Sequence, residues 1–78
     1  MKNEIKFMKL TIGEKLIMLR GEKGKTQDDV ARHLDVSLPG YLKMEEDFIY
    51  PSDLQIAKIG ELYGMTYQQV IDFGEGLG

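Results

Sequence analysis

Apolar residues recur along this chain at helical intervals. Ile12, Leu16 and Leu19 fall at i, i+4 and i+7, flanked by Ile17 and Met18, while Val30, Ala31 and Leu34 give i, i+1 and i+4. Ile56, Ile59, Gly60 and Tyr63 repeat the helical spacing, and Val70, Ile71 and Phe73 close the series. Such intervals place the apolar side chains on one stripe of a helix. Alternation of period two is confined to Ile5-Lys6-Phe7-Met8, which fits a disordered arm, a short strand or an extra helical turn.

The polar positions punctuate these stripes. Thr11, Ser52 and Thr66 are each followed three places later by Glu14, Gln55 and Gln69, the pattern of a capping box, and Thr26 is followed by Asp29 in the same place. Ser37 is a fifth N-cap candidate without such a partner. Stop signals lie between the caps: Gly21 and Gly24, then Asp47 to Pro51, then Gly64, then Gly74, Gly76 and Gly78. The pattern predicts an all-α fold of five short helices. Its domain spans residues 11–73, preceded by a basic arm at 1–10 and followed by a flexible Gly-rich tail at 74–78.

Length and charge narrow the picture. Seventy-eight residues make one small domain, which buries only roughly 60–65% of its unfolded surface, so every stripe should face one shared core. The chain has no cysteine, which excludes disulfides and thiolate metal sites. No apolar run is long enough for a bilayer and no signal peptide is visible, so a cytoplasmic protein is expected. The net charge is −3, unusual for a nucleic-acid binder. Its distribution is uneven: residues 1–25 hold seven bases and three acids (+4), and residues 26–78 hold three bases and ten acids (−7). That asymmetry fits either solvated faces of mixed sign or a dipolar molecule with a basic N-terminal edge.

Residues 26–45, TQDDVARHLDVSLPGYLKME, carry the most information. A helix of about two turns should end at Leu34. Asp35-Val36 leaves almost no room for a loop before Ser37 caps the next helix. Helices joined this tightly cross steeply, which needs a small residue at the contact, and Ala31 supplies it. Val30, Leu34, Val36, Tyr41 and Met44 then meet in the wedge, as in a helix-turn-helix.

From Ile12 to Ile71 the chain resembles the lambda-repressor/Cro-like (XRE-type) helix-turn-helix family. The resemblance runs through Leu19-Arg20, Lys23-Gly24, Thr26-Gln27, Val30-Ala31, Leu34, Val36-Ser37, Lys43, Glu45, Pro51-Ser52 and Tyr63-Gly64-Met65-Thr66. It implies a compact five-helix domain with helices two and three as the helix-turn-helix. It also implies an ion pair between Arg20 and Glu45 that ties helix one to the end of helix three. Gln27 corresponds to a position that touches a phosphate and braces the recognition helix, Thr26 to one that suits a phosphate equally well, and Ser37, Leu38, Pro39, Gly40 and Lys43 to positions that read base edges in the major groove.

The functional expectation is a sequence-specific transcription regulator of repressor type, without cofactor or metal, bacterial or phage-encoded and nucleoid-associated when bound. It would sit on double-stranded DNA as a homodimer at a pseudo-palindromic site. The alternative is a protein-interaction module on the same fold: antitoxin-like, anti-repressor or co-regulator.

Several departures bear on that choice. Asp35 stands where Gly is usual. Leu38, Pro39 and Gly40 replace polar reading residues, and only Leu38, against a thymine methyl, offers a base contact. Tyr41 replaces an aliphatic residue, overfilling the wedge or sending its hydroxyl to the rim. Glu46 and Asp47 would be repelled by a phosphate. Phe48, Ile49 and Tyr50 either pack under helix four or form a dimer or partner contact. His33 should be solvated on the outer face of helix two, and no nucleophile, base and orienter assemble around it, so an enzyme is not expected.

Overall fold

The computed structural model describes residues 9–75. All regular structure among them is helical, in five segments: α1 (Ile12–Lys23), α2 (Gln27–Leu34), α3 (Leu38–Glu45), α4 (Asp53–Tyr63) and α5 (Tyr67–Asp72). The all-α expectation is met. Of the expected arm, only Lys9 and Leu10 lie within the described residues, and of the tail only Gly74 and Glu75.

Each helix starts where a hydroxyl can satisfy an amide that has no partner in the first turn. Thr11, Ser52 and Thr66 accept from the amides of Glu14, Gln55 and Gln69, whose side chains bond back to the cap amide. The shorter Asp29 closes the same loop with Thr26, at 3.0 Å in both directions. Ser37 accepts from the Gly40 amide at 3.1 Å. Pro39 sits in the first turn of α3, where its missing N–H costs nothing.

α1 and α4 stop at Gly24 and Gly64 in the left-handed region. α2 stops at Asp35, with φ 58° and ψ 44°. Aspartate tolerates that backbone at a modest cost, and the Asp35 amide recovers bonds to the carbonyls of Ala31 and Arg32.

α2 packs on both α3 and α4, α1 packs on α3, and α4 on α5. One core results: Leu16 and Leu19 from α1, Val30, Ala31 and Leu34 from α2, Tyr41 and Met44 from α3, Ile56, Ile59 and Tyr63 from α4, and Val70 from α5. The residues expected in the wedge are therefore in the core, with Val36 packed at its edge. Tyr41 is fully buried, so its hydroxyl does not reach the rim. Gly60 lets the last turn of α4 approach the next link closely; a β-carbon there would stand 2.3 Å from the Met65 carbonyl oxygen. No helix among the described residues is long and apolar enough to cross a membrane.

Candidate functional site

α3 is held from behind and open in front. Its inward residues, Tyr41, Met44 and Glu45, are buried, while Leu38, Pro39 and Lys43 are exposed and Gly40 is half-buried. The helix therefore presents one face to solvent on a rigid base.

That base centres on Glu45. Arg20 grips its carboxylate with two parallel bonds, Nε to Oε2 at 2.5 Å and Nη2 to Oε1 at 3.2 Å. The Gln27 side chain adds a third donor, Nε2 to Oε1 at 3.0 Å. One carboxylate thus joins α1, the start of α2 and the end of α3. A planar guanidinium fork suits this role because both its N–H groups meet both oxygens at once. Burial alone would raise the Glu45 carboxyl, but the bonds from Arg20 and Gln27 and the adjacent Tyr41 hydroxyl outweigh it and hold it below the usual range. The same pair raises Arg20.

Two tyrosine hydroxyls flank this cluster and have no hydrogen-bond partner, those of Tyr41 and Tyr63. Burial pushes Tyr63 up to about 12, and burial together with the Glu45 charge raises Tyr41 further. A hydroxyl buried without a partner contributes little that a hydrogen atom would not. Tyr63→Phe should therefore leave stability unchanged or raise it by up to about 1 kcal/mol, read as the urea midpoint.

The anticipated contact residues fall into two groups. Thr26 and Ser37 use their hydroxyls as helix caps. Gln27 is half-buried and braces α3 by donating one N–H of its amide to Glu45. Leu38, Pro39 and Lys43 form the open face, with Gly40 beside Ser37 Oγ.

One local expectation is corrected, at His33, and one open alternative is decided, at Phe48 to Tyr50. Asp47 is exposed, but its oxygens are engaged within the fold. It adopts φ 65° and turns both oxygens to the start of α1, accepting from the Thr11 hydroxyl at 2.7 Å and the Gly13 amide at 2.8 Å. This favours a carboxylate because the first-turn amides of a helix carry partial positive charge. His33 is half-buried, with Nε2 2.9 Å from the Lys58 carbonyl oxygen, so it joins α2 to α4. Phe48, Ile49 and Tyr50 do not pack under α4; all three are exposed, and only the following Pro51 goes inward.

Lys15 was not anticipated as a structural residue. It is buried on α1, and its ammonium donates to the Ile71 carbonyl oxygen and to Glu75 at 3.1 Å. Glu75 is thereby tied to α1 although it belongs to the segment expected to be a flexible tail. The signal was present: positions 12, 15, 16 and 19 lie on one helical face.

Compared with protein-family models, with curated proteins and with solved structures, the chain matches none.

Proposed function

We propose that this chain is a sequence-specific DNA-binding transcription regulator, with α2 and α3 as a helix-turn-helix of lambda-repressor/Cro-like kind. It acts as a homodimer on a pseudo-palindromic operator, one α3 in each of two successive major grooves. The observation that carries the reading is the two-sided character of α3: locked from behind through Glu45 and open in front at Leu38, Pro39 and Lys43.

Rigidity matters because a reading helix must reach base edges in a defined register. Lys43 supplies charge toward the DNA, and Leu38 an apolar contact suited to a thymine methyl. The Asp47 carboxylate is bonded to the start of α1, whose partial positive charge offsets part of its repulsion of a phosphate. Glu46 remains exposed beside α3. Gln27, in this reading, positions α3 through Glu45 and keeps a second N–H of its amide for a phosphate.

Lys43→Ala and Leu38→Ala test the assignment because both side chains are exposed and neither supports the core. Lys43→Ala is expected to weaken DNA binding on every sequence and to lower the log–log salt slope by about 1. Leu38→Ala should weaken binding at the operator alone. Fluorescence anisotropy against specific and random duplexes separates the two, with helicity unchanged by circular dichroism. Equal affinity of both variants and the parent for either duplex would exclude α3 as the reading element.

The exposed Phe48-Ile49-Tyr50 segment favours a second reading, a protein-interaction module. A stoichiometric protein partner and no retarded DNA at low salt would decide for it.

A further inference from the structure

We infer that Phe48, Ile49 and Tyr50, with Leu54 of α4 and Tyr67 of α5, form the face through which two copies of this chain pair about a two-fold axis. The inference deepens the DNA-binding reading, which requires a dimer, and rests on it for the identity of the occupant.

These side chains expose large apolar areas: Phe48 is 77% exposed, Leu54 67% and Tyr50 66%. They belong to one region. Phe48, Ile49 and Tyr50 are consecutive, Leu54 follows within the first turn of α4, and Tyr67 bonds Asp53 beside it through its hydroxyl at 3.0 Å.

The loop that carries the aromatics is tied down. The amides of Phe48 and Ile49 both donate to the Lys43 carbonyl oxygen, Asp47 is stapled to the start of α1, and Pro51 is fully buried. Apolar groups displayed on a segment ordered in advance lose little conformational freedom on docking. Phe and Tyr also belong to the side chains enriched in the centres of protein interfaces.

Area decides what kind of contact this is. With roughly 150–250 Å² per aromatic side chain, the exposed fractions give on the order of 500 Å² per copy. Pairing two copies would bury about 1,000 Å², the lower limit for a specific interface. The face therefore suits a weak dimer completed on DNA. In a two-fold contact each aromatic meets its own equivalent or a neighbour, so one patch suffices for both copies.

Sedimentation equilibrium of the full chain without DNA tests the pairing, with Phe48→Ser, Tyr50→Ser and Leu54→Lys as separate variants. A concentration-dependent dimer is expected, with its dissociation constant raised about 30-fold or more by Phe48→Ser or Tyr50→Ser. Helicity should not change, because these positions are exposed. Since the chain has no cysteine, Tyr50→Cys adds a second measurement. Oxidation should link it into a disulfide dimer, whereas Glu22→Cys, some 15 Å further along α1 from the Asp47 staple, should stay monomeric. A dimer untouched by all three patch variants, or a monomer at every concentration with Tyr50→Cys left unlinked, overturns the inference. Retarded DNA in the same preparation would show that the DNA-binding reading survives its loss.

Discussion

Glu45→Ala is expected to destabilise the fold by roughly 3–5 kcal/mol, because it leaves the Arg20 guanidinium with only the Lys25 carbonyl oxygen and the Gln27 amide without its carboxylate acceptor. The Glu45 side chain is 4% exposed and accepts three bonds from two helices, so water cannot replace it without opening the α1–α3 contact. Arg20→Ala should cost a similar amount by stranding the carboxylate. Replacing both at once, Arg20→Met with Glu45→Leu, should cost markedly less than the sum, since no buried charge then remains. Urea midpoints of the two single variants and the double variant measure the coupling directly. Additive losses would contradict the buried-pair account.

The same pair sets an acid limit. The folded-state pKa of Glu45 is depressed, so its contribution is complete above the unfolded value of about 4.3. It fades as pH falls through the lower folded value. The parent should lose stability faster than Arg20→Met/Glu45→Leu over that acid range, and the two should run in parallel from pH 6 to 8.

Gly60→Ala is the second substitution of large expected effect, and its sign is the diagnostic. At an unobstructed helix position a glycine-to-alanine change gains about 0.5–1 kcal/mol through backbone entropy and helix propensity. Gly21, exposed in α1 with nothing within 4 Å of its β-carbon position, should show that gain. At Gly60 the β-carbon would meet the Met65 carbonyl oxygen at 2.3 Å and its carbon at 3.2 Å. Both are backbone atoms held by the Met65 amide bond to the Gly60 carbonyl oxygen and by the Thr66 cap, so α5 would have to move. A net loss of about 1–3 kcal/mol is expected, as for overpacking of a core. Thermal midpoints of the pair, moving in opposite directions, would confirm both assignments. A gain at both positions would show that the α4–α5 link yields freely.

What could be read from residue order alone was what depends on near neighbours. Caps act over three residues, and all five were visible as Ser or Thr at the right offset. The core stripes depend on helical period, so Leu16, Leu19, Val30, Leu34, Ile56 and Ile59 were legible too. The bonds hidden from that reading all span distance: Asp47 reaches the start of α1, Lys15 the end of α5, and His33 the carbonyl of Lys58. Charge at these positions signals solvent exposure by default, and only a packed partner reverses it. Arg20 and Glu45 were paired in advance through a family resemblance, which supplied the long-range geometry that spacing lacks. The Phe48-Ile49-Tyr50 segment lay open between packing and contact for the same reason. Nothing local decides whether an apolar run finds cover, and here Pro51 takes the inward position and leaves the three exposed.

The acidic balance of the chain, −3 overall, makes DNA binding the claim most in need of a direct test. The decisive measurement is an electrophoretic titration of the full chain against its own upstream DNA at increasing salt. The account predicts a discrete retarded complex at low salt, footprinted as a pseudo-palindrome with half-sites about one helical turn apart. Its affinity should fall linearly in log–log form as salt rises. No retarded complex at low salt, or an affinity indifferent to salt, would contradict it.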